Sequence, residues 1–164
     1  MKRILIVACI ATGALLLSGA VALAVDSTSR GGEVHVYGVN TGAGNENQII
    51  ITGAIAARGV THNVSENIGM VTTPDGTFKV NLRELNHAVG TGGFNKETCS
   101  GAFSQSAPIT LFDGTGAYKG IKGTITLHTT FAAIVGRTDG GSCNANGNPI
   151  TGLSFFQGEG SVSF

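Results

Sequence analysis

Apolar and polar positions alternate most clearly over residues 77–83, where Phe78, Val80 and Leu82 interleave with Lys79, Asn81 and Arg83. Period two places one face against a core and the other in water, so this stretch is predicted to be a β-strand. Pro74-Asp75-Gly76 stands just before it. Proline presets φ and glycine accepts positive φ, which makes a turn, and residues 68–73 complete a hairpin. Weaker alternation places further strands at 33–39, at 48–57, at 109–113 behind Pro108 and at 153–164. In 48–57, Ile49, Ile51 and Ile55 share a face, with Gly53 between them. The longest predicted strand is 124–135. Its odd positions, Ile125, Leu127, Thr129, Phe131, Ala133 and Val135, read as the core face, and Thr124, Thr126, His128 and Thr130 read as the other. Helical spacing is confined to 82–89, one or two turns. Gly31-Gly32 and residues 41–47 read as flexible loop.

Seven or eight short strands joined by Gly, Asn and Pro turns give an all-β fold, an antiparallel barrel or sandwich. Glycines recur inside the strands, at the bulges and tight bends that barrel corners need, so the expectation is an antiparallel β-barrel of about eight strands. The final strand, ending in Val162 and Phe164, is expected to pair into the sheet. No internal repeat or linker divides the chain after its leader, so residues 25–164 are one domain, a size that buries a proper core.

The first 24 residues change the picture of where this domain resides. Lys2 and Arg3 precede an uncharged apolar run, which ends in Ala22-Leu23-Ala24. This is the pattern of a secretory signal peptide, cleaved between Ala24 and Val25. A retained membrane helix and a lipoprotein signal at Cys9 are the rivals. Gly13 and Gly19 interrupt the first, and Cys9 lies too early for the second. The protein is therefore expected to be secreted, to the medium or the cell envelope, with no membrane attachment after cleavage. The chain balances ten basic against ten acidic residues. Losing Lys2 and Arg3 leaves the mature domain slightly acidic, which argues against nucleic acid as a partner.

Two cysteines remain, Cys99 and Cys143. An oxidising compartment favours their one internal pairing, a disulfide worth roughly 4 kcal/mol in the chain-entropy account. Two buried free thiols are the alternative. Metal binding is not expected, since no histidine stands at ligand spacing from either cysteine.

The densest glycine cluster is Gly114, Gly116, Gly120 and Gly123. As a phosphate cradle it fails: a dinucleotide fingerprint has its third glycine one residue earlier, a P-loop has Gly-Lys-Ser/Thr, and both open a helix. Here a strand follows. The cluster instead reads as sheet chemistry: the strand through Leu111-Phe112 turns at Asp113-Gly114, Tyr118 begins a new strand, and Gly120 and Gly123 let it coil. In this form GTGAYKGIKGTITL, residues 114–127, resembles the hairpin of allene oxide cyclase and dirigent-type β-barrels. The chain is also similar to small secreted actinobacterial proteins of uncharacterised function. That second likeness rests on ITGAI, GTFKVNL, the FNKETCS segment at 94–100, the glycine hairpin, Cys143 and the GEGSVSF ending. The barrel resemblance implies eight strands around a modest cavity. It implies no catalytic residue, because no pocket carboxylate with its partners can be matched here.

Candidate chemistry is sparse. His35, His62, His87 and His128 are scattered over different elements. His128 is the candidate ligand-binding residue, provided the face opposite Leu127 lines a lumen. No G-x-S-x-G elbow occurs. Glu33, Asp113 and Glu159 lie on or beside strands, and Glu159 sits between Gly158 and Gly160, where a bulge could aim it. No cofactor is expected. The function expected is binding of a small apolar ligand or a surface partner without catalysis. The alternatives are an isomerase or cyclase acting on an apolar substrate inside the barrel, and a small outer-membrane barrel. The scarcity of aromatics for interfacial girdles, with no Trp and two Tyr, disfavours the last.

Overall fold

The computed structural model describes residues 31–40, 46–144 and 147–164. The leader and its cleavage position at Ala24 and Val25 lie outside the described residues, as do residues 41–45 of the expected 41–47 loop, whose last residue, Asn47, is strand instead. The strands are β1 (Gly31–Asn40), β2 (Asn47–Gly53), β3 (Ala57–Ser65), β4 (Ile68–Thr73), β5 (Gly76–Asn81), β6 (Thr91–Asn95), β7 (Ser100–Phe112), β8 (Lys122–Val135) and β9 (Pro149–Ser163). A short helix α1 (Arg83–His87) follows β5, and a single 3-10 turn (Gly116–Tyr118) lies between β7 and β8.

All nine strands form one antiparallel sheet in the order β5-β4-β3-β2-β1-β9-β8-β7-β6. The C-terminal end of β7 also pairs with β5, through Lys79–Phe112, Val80–Leu111 and Asn81–Thr110. That seam closes β1–β5 and β7–β9 into an eight-stranded barrel. β6 pairs with the first half of β7, from Thr91–Ser104 to Asn95–Ser100, and stays outside the ring.

Period-two patterning decides what faces inward. Val34 of β1, Ile49 and Ile51 of β2, Phe78 and Val80 of β5, Ile109 and Leu111 of β7, and Ile125 and Leu127 of β8 are all buried in one core. Each such side chain contributes about 1.5–3 kcal/mol relative to exposure. Their neighbours Thr110, Thr124, Thr126 and His128 face water. The hairpin predicted at 68–83 forms, but its second strand ends at Asn81, because Arg83 opens the helical turns expected in 82–89.

Several expectations are corrected. Gly31 and Gly32 are strand, paired with Ser163 and Val162 of β9. The 48–57 stretch breaks at Gly53, whose φ is 96°. Ile55 is buried in the connection, and a separate strand starts at Ala57. The short strand expected at 109–113 is the end of a strand of 13 residues, and β9, with 15, exceeds β8, with 14. Glu159 pairs in unbroken register with His35 and Thr126, so it occupies no bulge. Tyr118 closes a 3-10 turn instead of opening a strand.

That turn plugs one end of the barrel. Tyr118 and Ile121 are buried, and the Tyr118 ring meets Phe78 edge-on at 5.2 Å. The loop's backbone is spent on the barrel rim: Thr115 N donates to Thr77 O and Ala117 N to Asp75 O. The Tyr118 hydroxyl bonds the Thr73 hydroxyl at 2.9 Å, in a buried pair. Thr73 Oγ1 also accepts from Asp75 N. Tyr118→Phe should therefore cost about 1 kcal/mol, since Thr73 keeps a partner. A thermal melt should fall by roughly 3 °C for a domain of this size. A drop several times larger would mean that the plug depends on this one bond.

Candidate functional site

Above the plug the barrel is not filled. It holds a cavity of about 290 Å³. The floor and walls are Val34, Ile51, Ile55, Val71, Phe78, Leu111 and Ile125, all buried. Space remains because the inward positions of two wall strands carry little bulk. On β3 they are Ala57, Gly59, Thr61 and Asn63, and on β9 Gly158 and Gly160 stand between the inward Phe156 and Val162. Side chains of Ile125 and Leu127 lean onto Gly158, where a Cβ would stand 2.8 and 2.9 Å from them.

The opening is at the far end, where Asn63 and Phe131 of the lining are exposed, Phe131 by 43%. Leu82 and the buried Leu85 of α1 reach the cavity there and cover part of the mouth. Asn86 ties α1 to the β3–β4 turn, its amide donating to Glu66 O at 2.7 Å and to Asn67 Oδ1 at 3.1 Å. Polar groups at the mouth are Asn47, Thr61, Asn63, Thr129, Thr130 and Ser154. Among the described residues that line the cavity, none has a titratable side chain. The chemistry available is apolar contact plus neutral hydrogen bonding.

Strands β7 and β8 overrun the barrel at this end. Phe103 and Phe131 are cross-strand partners there, on the inward-facing parity but 46% and 43% exposed. The core face expected along β8 is thus buried at Ile125 and Leu127 and becomes an overhanging aromatic ledge at Phe131.

His128 points away from the lumen. It shares a shallow outer depression of about 200 Å³ with His35, Tyr37, Gln157 and Glu159. His62 is half-buried on β3 with a buried Nδ1 that lacks a partner, and His87 ends α1 at the surface. No group of three or more His, Cys, Asp or Glu among the described residues is placed to hold a metal. Asp113, with φ 54°, forms an exposed ion pair with Lys79 at 2.6 Å. Elsewhere on the outer wall, Tyr37, Val39, Ile50 and Phe155 form an open apolar groove beside Arg58.

Cys99 and Cys143 are brought to disulfide distance, with Cα atoms 5.3 Å apart. The bond ties residues 136–144, after β8, to the β6–β7 turn. Arg137 reinforces the tie by donating to the backbone oxygens of Glu97 and Gly141.

The glycine cluster divides its work. Gly114 and Gly116 belong to the plug: a Cβ on Gly116 would stand 2.3 Å from Asp75 O. Gly120, with φ 87°, turns the chain from the plug towards β8. Gly123 lies at a close approach of β8 and β9, where a Cβ would meet Ser161 O at 2.3 Å. What sequence reasoning missed is the mouth. The signal available was the run of small and polar residues at alternate positions 57–63, which reads as loop until the cavity shows what those positions face. Comparison with protein-family models, with curated proteins and with solved structures finds no match.

Proposed function

We propose that this is a secreted barrel that binds a small apolar ligand in its lumen, without catalysing a reaction on it. The observation that carries the reading is the 290 Å³ apolar cavity, open at one end. Ligand pockets begin at about 300 Å³, and dry apolar cavities of about half that size already take up benzene. The ligand is one of a few rings or a medium alkyl chain. The lining supports binding over the isomerase or cyclase alternative, because acid–base catalysis needs a titratable group within reach of the reacting atom. An eight-stranded ring around a modest cavity is what the resemblance to allene oxide cyclase and dirigent-type barrels implies; their chemistry is not carried over. The radial pattern supports an aqueous barrel over an outer-membrane one. Membrane barrels are apolar outside and polar within, whereas here Lys122, Thr124, Thr126, Gln157, Glu159 and Ser161 are exposed around an apolar interior. Secretion rests on the leader and on the Cys99–Cys143 pair.

Titration with the neutral dye N-phenylnaphthylamine tests the binding. We expect saturable binding of one dye per chain with a strong fluorescence rise. Thr129→Trp and Asn63→Trp, each narrowing the mouth, should weaken it at least tenfold while the thermal melt keeps its midpoint. Absence of saturable binding, or binding indifferent to both plugs, would overturn the lumen as the site.

A further inference from the structure

We infer that the lumen selects uncharged amphiphiles: molecules with an apolar body and a neutral hydrogen-bonding head, in preference to carboxylates or amines of the same length. This rests on the apolar-ligand reading above and names the ligand class.

Going around the closed barrel, β3 and β8 stand opposite one another, with three strands between them in either direction. The mouth therefore has two unlike sides. On β2 and β3, Asn47, Thr61 and Asn63 present amides and a hydroxyl. Facing them, β8 and β9 present the rings of Phe131 and Phe156, with the hydroxyls of Thr129, Thr130 and Ser154 beside them. The Phe156 ring is held over Gly38 of β1, where a Cβ would stand 2.1 Å from its Cζ. A ligand whose body fills the lumen emerges between a side of rings and hydroxyls and a side of amides and a hydroxyl, every polar group among them neutral.

A charged head gains little there. No cationic or anionic side chain among the described residues lines the cavity. Charged side chains at this end, among them Glu46, Glu66, Arg83, Glu84, Lys96, Glu97, Arg137 and Asp139, are exposed in turns, α1 and the segment after β8, with both signs present. A carboxylate or ammonium drawn into the mouth loses water and finds no counter-charge. A hydroxyl, carbonyl or amide head is matched, because Asn offers both donor and acceptor and Thr a rotatable hydroxyl.

Displacement of N-phenylnaphthylamine by decanol, decanoate and decylammonium at neutral pH tests this on the full mature chain. Decanol should compete at least tenfold more strongly than either ion. Thr61→Lys, which sets a cation among the amides, should invert the order of decanol and decanoate. If decanoate or decylammonium competes as well as decanol in the wild type, the selectivity is refuted while lumen binding stands. If the dye itself never binds, the lumen reading fails, and this inference with it.

Discussion

Gly123→Val should abolish folding, or lower the melting midpoint by roughly 10 °C, equivalent to about 3 kcal/mol or more for a domain of this size. At Gly123 a Cβ would stand 2.3 Å from Ser161 O and 2.9 Å from Val162 Cα. Those atoms belong to the backbone of the neighbouring strand, so no rotamer change relieves the overlap. The ladder would have to part, and it holds β8 to β9 from Lys122–Ser163 onward. Gly120→Val provides the contrast. There the nearest atom to a Cβ, Phe164 C, is 3.8 Å away, and the obstacle is the positive φ of 87°. That substitution should cost about 1–2 kcal/mol, a strained backbone without a clash. Circular dichroism melts of the two variants decide the matter. Equal, mild effects would mean that β8 and β9 can separate locally, and that the crossing does not set the barrel's curvature.

Replacing the cysteines comes second in size. The bond closes a loop of sequence separation 44, for which the loop-closure account gives about 4 kcal/mol. Cys99→Ser with Cys143→Ser should shift a urea midpoint downward by about 2 M, taking an m-value of roughly 2 kcal/mol/M. The folded barrel should survive in the absence of urea, because the bond lies outside the ring and joins the overrunning ends of the strands. Buried Cys99 adds a packing loss to the entropic one, so Cys99→Ala with Cys143→Ala separates the two. A midpoint unmoved in both pairs would show that the bond restrains neither the unfolded chain nor the native loop.

Legibility in the sequence followed the side chains' bulk. The 68–81 hairpin could be read because Phe78 and Val80 alternate with polar residues after a Pro-Asp-Gly turn. The inner face of β8 could be read as far as Leu127 for the same reason. β3 could not, because Thr61 and Asn63 face a void and a mouth instead of a packed core. No apolar alternation marks it. β6 was invisible because Gly92 and Gly93 remove the pattern altogether. The pairing of Cys99 with Cys143 followed from counting. The direction of His128 did not: period two states which residues share a face, and only the closed ring states which face is inside. Cavity volume is further still from the sequence. It is set by how far Ile125 and Leu127 lean onto Gly158, a matter of a few ångströms across two strands.

The place of β9 in the ring has a consequence for biosynthesis. It lies between β1 and β8, pairing with both along most of its length. A chain emerging from the ribosome can assemble β1–β5 as a local meander early, yet that meander keeps β1 open along one edge. β8 likewise waits for its second neighbour. Neither edge is satisfied until Pro149–Ser163 is present, so the ring cannot close before β9 is available. Under the secretion proposed above, that delay keeps the polypeptide threadable, because an unclosed ring presents no locked wall to a narrow channel.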